Sequence, residues 1–151
     1  MIIPLGKKDF KMNMVYGFHP TMPYDLHDMT IGKIEIAGEH IRFYFDQGYR
    51  MGKENSPQVN GNILIEKVDL DFSYIHFLSD NGTYGNFHGK KLEIPRFIKN
   101  YKDFSLELIQ ETYGYHSMVY AGYLRLPKRK KIIDMTISLS YTGNIIYEIK
   151  D

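Results

Sequence analysis

The sequence predicts an all-β fold with one short helix: an antiparallel two-layer β-sandwich or closed barrel with a C-terminal meander. Three observations carry this. Apolar residues alternate with period two through most of the chain. Aromatics that suit a pleated surface are abundant, with 13 Tyr and 9 Phe but no Trp. Short loops bring neighbouring runs into registers that gather apolar residues on shared faces. Residues 1–151 read as a single β-rich domain, long enough to bury roughly 68–70% of the surface its unfolded chain exposes.

Met12, Met14, Tyr16 and Phe18 alternate with Lys11, Asn13, Val15 and Gly17, a half-buried strand ended by Pro20 and Pro23. Residues 21–28 are a turn-rich connection into a hairpin over 29–45. With Gly38-Glu39 as a two-residue turn, Ile36 lies opposite Ile41, Ile34 opposite Phe43 and Gly32 opposite Phe45. Glu35 then meets Arg42, and Lys33 meets Tyr44, on the other face. A Gly-first turn suits type II′, and opposite charges across a strand pair contribute about 0.2–1 kcal/mol. The apolar parity changes at Gly32, which predicts a β-bulge.

Residues 52–61, polar and containing Pro57, read as a loop. The run 62–78 reads as a long strand region with Asp69, Asp71 and Ser73 on a wet face. Its changes of parity predict bulges, or one strand serving two sheets. Asn81-Gly82 is a turn dipeptide that would set His76 opposite Phe87 and His88 opposite Ile75. Residues 91–101 hold a short helix with Pro95 at its first position and Phe97, Ile98 and Tyr101 on one side. Residues 104–113 form a strand turning at Gly114.

A loop at Pro127–Lys130 sets Leu124 opposite Ile133, Tyr120 opposite Ile137 and Met118 opposite Leu139, with Tyr123 and Asp134 outward. A three-residue loop at Thr142-Gly143-Asn144, with a left-handed residue, sets Leu139 opposite Tyr147 and Ile137 opposite Ile149. Three strands then share one apolar face, which must be buried against the N-terminal hairpin.

Composition narrows the function. The chain has no cysteine, which removes disulfides and thiolate chemistry and fits a reducing compartment. No secretory leader or membrane span is visible, so the expectation is a cytoplasmic protein without a membrane partner. A net charge of +1 gives no global field for nucleic acid. The basic run Lys128-Arg129-Lys130-Lys131 coincides with a loop tip, where lysines keep a hairpin soluble. No phosphate loop, nucleophile elbow or zinc-protease helix appears, so nothing calls for a cofactor or supports catalysis.

Several residues are candidates for a site. His19, Asp25, His27 and Asp28, next to Tyr24, could bind a metal or share a proton in a hydrolase, His27 as base and Asp28 as its orienting acid. Consecutive residues entering a strand point to opposite faces. The plainer reading therefore has Asp28 capping backbone amides and His27 packed under the hairpin. Tyr113, Tyr115 and His116 surround Gly114 at a hairpin tip, where tyrosine offers recognition area at small entropy cost. Asp69 and Asp71 could pair at strand spacing. A closed barrel lined by Met12, Met14, Tyr16, Phe43 and Phe45 could enclose a small apolar ligand.

Leu26-His27-Asp28, followed by Ile31, Ile34, Ile36 and a second alternating strand, resembles the opening of several families of small uncharacterised bacterial proteins. Some of these are regarded as immunity proteins of polymorphic toxin systems. The resemblance ends by residue 51. It implies a compact cytoplasmic β-rich protein that acts by binding another protein, without a cofactor. The expected partner is accordingly a protein, contacted through loop tips and a tyrosine-bearing face.

Overall fold

The computed structural model describes residues 2–4, 12–16, 24–51, 58–79, 89–130 and 132–150. Its strands are β1 (Ile2–Pro4), β2 (Met12–Tyr16), β3 (Tyr24–Asp25), β4 (Thr30–Ala37), β5 (His40–Phe45), β6 (Tyr49–Met51), β7 (Gln58–Val59) and β8 (Gly61–Ile65). They continue with β9 (Tyr74–Ser79), β10 (Lys90–Glu93), β11 (Ser105–Gly114), β12 (Ser117–Arg125), β13 (Ile132–Ser140) and β14 (Ile145–Ile149). Helix α1 (Ile94–Asn100) stands between β10 and β11. The fold is mostly antiparallel sheet with one short α-helix, as the sequence predicts.

One sheet runs in the order β1-β2-β14-β8-β5-β4-β11-β12-β13-β9-β10, and β3-β6-β7 form a small second sheet. Among the described residues no ladder joins β1 to β10, so the large sheet is not closed and the barrel alternative is set aside. The sheet instead coils over itself. The rings of Phe43 on β5 and Tyr120 on β12 lie 5.3 Å apart, although β4 and β11 stand between those strands. In a flat sheet three strand spacings would separate them by about 14 Å. The corner falls where β4 meets β11 in only two residue pairs, Ile31 with Leu106 and Thr30 with Glu107. Register shifts flank it at Gly32 and Ile109, and bulges of this kind let a strand bend out of its layer. The result is sandwich-like, its interior filled by residues such as Ile31, Phe43, Ile63, Ile75, Tyr120 and Ile137.

The first hairpin has the expected register from Lys33 with Tyr44 to Ile36 with Ile41. Gly38 has φ +64° and Glu39 does not share that sign, which fits the Gly-first turn. Gly32 is the bulged residue, so Ile31 rather than Gly32 faces Phe45. Every predicted pair between β12 and β13 is also present. Helix α1 starts one residue earlier than expected, with Glu93 as N-cap and Pro95 inside the first turn.

Other expectations are corrected. β14 leaves the meander: it pairs with β2 and β8, while β13 pairs with β12 and β9. Neither Gly143 nor Asn144 is left-handed. The space of a Gly143 side chain is instead taken by Glu66, which a Cβ would approach to 2.5 Å. Segment 66–69 runs alongside 140–144, with backbone bonds Glu66 N to Asn144 O, Thr142 N to Lys67 O and Asp69 N to Ser140 O. Two crossing connections thus satisfy each other, and no hairpin forms.

The run 62–78 splits into β8 and β9 around a 3-10 turn at Leu70–Phe72. Asp69 is not part of a strand face there; its carboxylate accepts from the Asp71 N–H as a cap, and Ser73 is buried. His76 faces Lys91 and Ile75 faces Leu92, not Phe87 and His88 as a turn at Asn81-Gly82 would set them; Asn81-Gly82, Phe87 and His88 lie outside the described residues. Residues 58–59, expected in a loop, pair with β6.

Candidate functional site

The segment Tyr24–Asp28 is held by a residue the sequence did not single out. Glu111 accepts hydrogen bonds from the Leu26 backbone N–H at 2.7 Å and from the Tyr113 hydroxyl at 2.8 Å. Before the bulge at Ile109, Leu106 and Leu108 face inward; after it the parity flips, and Glu111 and Tyr113 stand opposite Tyr120 and Met118. A break in the alternation between Leu108 and Tyr113 is the signal that could have found it. Burial pushes the Glu111 carboxyl above the ordinary carboxylate range, against the pull of both hydrogen bonds toward the charged form. Burial and the Glu111 charge push up the hydroxyl of the enclosed Tyr120. Tyr24 packs between Tyr49 and Tyr147 at 4.8 and 4.9 Å, making it a core residue rather than a contact surface.

A proton on Glu111 is held more tightly in the folded chain than in the unfolded one. Its contribution to stability is therefore fully present below the unfolded value near pH 4.3 and lost as pH rises through the folded value. Glu111→Gln abolishes that loss. In urea unfolding between about pH 4 and about pH 8, the variant is expected to gain on the wild type as pH increases. Parallel pH profiles would refute it.

His27 and Asp28 do converge, because a turn reorients them. Asp28 has φ +66°, and its Oδ2 lies 3.0 Å from His27 Nδ1. The expected packing of His27 under the hairpin fails, since His27 is exposed, and the backbone N–H of His27 is capped by Asp25. The arrangement is an imidazole with an orienting carboxylate on an open turn. Among the described residues no group of three His, Cys, Asp or Glu side chains could hold a metal ion, and His19 lies outside those residues.

At the β11–β12 tip, Gly114 pairs with Ser117 and leaves Tyr115-His116 as a two-residue loop. His116 is left-handed at φ +57°, and its carbonyl accepts from Tyr141 N. Tyr115 is 76% exposed and its ring lies 3.9 Å from His116, whereas Tyr113 is half-buried. The 3-10 turn bearing Phe72, 71% exposed, is tied to the same end of β13 by Asp69 N to Ser140 O. Ser140 also pairs with Ser117. Two exposed aromatics thus crown one end of the molecule.

A groove occupies the other end, between the last turn of α1 and the β12–β13 connection. One cavity of about 490 Å³ is lined by Lys99, Lys102, Lys128 and Arg129 around Leu126 and Pro127. A neighbouring cavity of about 460 Å³ adds Phe104 and Arg125. Beneath the groove, Tyr101 and Phe104 stand at 5.1 and 5.2 Å from Phe97 and pack against the core. The sequence showed Lys128–Lys131 as a loop tip; it could not show that α1 brings two further lysines to it.

Compared with protein-family models, curated proteins and solved structures, the chain matches none. No helix among the described residues is long and apolar enough to cross a membrane.

Proposed function

We propose that this chain is a non-enzymatic protein-interaction domain that docks its partner on the aromatic end. The exposure of Phe72 and Tyr115 on two turns hydrogen-bonded to the same end of β13, at Ser140 and Tyr141, carries the reading. Scattered single apolar residues are ordinary on a surface. Two large rings on neighbouring turns held by Ser140 and His116 are an anchor presented with little entropy left to lose. The resemblance of the first hairpin to families of small bacterial proteins, some regarded as immunity proteins, supports the same reading: a cytoplasmic protein that acts by occupying another protein.

The test is capture from the cell that expresses the chain, followed by affinity measurement with the recovered protein. Tyr115→Ala and Phe72→Ala should each weaken binding by about 2 kcal/mol, roughly thirtyfold, with an unchanged melting temperature. Affinity that ignores both substitutions, or recovery of no specific protein, would sink the proposal.

A further inference from the structure

The groove at the end opposite Tyr115 is a second, separate surface. β12 runs from the aromatic tip to the groove, and its nine residues span about 27 Å, so the two surfaces cannot share one small contact. Lys99, Lys102, Lys128 and Arg129 all line one cavity, with Asp103 as its single carboxylate. None of the four has an ion-pair partner within 4 Å among the described residues. Arg125, nearby, is already paired with Glu107 at 3.4 Å.

Four like charges held around an apolar trough repel one another and gain from an incoming negative chain. The trough also selects the kind of chain. Leu126 and Pro127, which line it, are aliphatic side chains, and Tyr101 is stacked against Phe97. The groove therefore suits an apolar side chain between carboxylates better than a base seeking an open stacking face. We infer that this groove binds an acidic segment of another protein, one that sets an apolar side chain on Leu126 and its carboxylates against Lys99, Lys102, Lys128 and Arg129.

The experiment places a photo-cross-linker at Leu126 in the full chain, irradiates the expressing cell, and maps what is joined to it. The expected product is a protein segment rich in Asp and Glu. Its yield should fall at least about tenfold in Lys128→Glu/Arg129→Glu, and free poly-L-glutamate should compete it away. Lys99→Glu/Lys102→Glu serves as the second reversal should the first melt below the wild type. Tyr115→Ala should leave the cross-link unchanged. A neutral or basic segment, a second copy of this chain, a nucleic acid, no product at all, or a yield indifferent to both charge reversals would each overturn the inference. None of these outcomes bears on capture through the aromatic end.

Discussion

Glu148→Leu is expected to destabilise the fold by about 3–5 kcal/mol, lowering the melting temperature by about 10 °C in a chain of this size. Glu148 is buried on the outward-facing side of β14, and Arg42 reaches it diagonally across β8 from β5. The contact is bidentate, Arg42 Nε to Glu148 Oε1 at 2.7 Å and a terminal nitrogen to Oε2 at 3.2 Å. The other terminal nitrogen donates to Glu35 Oε1 at 3.1 Å, which also accepts from the Tyr44 hydroxyl at 2.9 Å. Removing Glu148 leaves a largely enclosed guanidinium with only the more exposed Glu35 to answer it. Its desolvation cost, and not the lost attraction, makes the loss large. The double variant Arg42→Met/Glu148→Leu should therefore recover most of the stability, because two apolar side chains of similar volume owe no such cost. A double variant as unstable as Glu148→Leu alone would show that the pair contributes through attraction.

That network also marks the limit of what the sequence disclosed. Glu35 opposite Arg42 followed from a two-residue turn, since a local loop fixes a local register. Glu148 could not be joined to them, because that contact depends on β14 pairing with β8, a choice made by distant segments. The same division runs through the whole chain. The β4–β5 and β12–β13 registers were legible from loop length and alternating greasy faces. The departure of β14 was not, because a Thr-Gly-Asn loop looks the same whether its glycine turns a hairpin or makes room for Glu66. Among the candidate site residues, Tyr115 and His116 were placed correctly at a tip. Tyr24 turned out to be core, and Glu111 was hidden by a bulge that shifts the parity of β11 and turns its carboxylate toward Leu26 and Tyr113. The groove was only half visible, since helix α1 and the β12–β13 connection are neighbours in space alone.

Gly122→Ala is expected to cost about 2 kcal/mol, against the usual tendency. A strand glycine replaced by alanine ordinarily gains about 0.5–1 kcal/mol from a stiffer unfolded chain and a better strand former. Here the added Cβ would collide with the Glu107 carbonyl and come within 3.1 Å of Leu108 Cα. Both are backbone atoms of β11 at the coiling corner, so neither can swing aside as a side-chain tip would. The glycine leaves room for the β11 backbone just before the register shift at Ile109. Gly38→Ala is the control. Nothing lies within 4 Å of its missing Cβ, and only its left-handed backbone is strained, at about 1 kcal/mol. Valine separates the causes further. On propensity Gly122→Val should outperform Gly122→Ala, whereas a backbone clash makes it worse, because the branched side chain adds bulk where β11 already stands. Urea midpoints ranked wild type, Gly122→Ala, Gly122→Val in falling order are the expected outcome, and valine above alanine would mean that β11 does not lie so close.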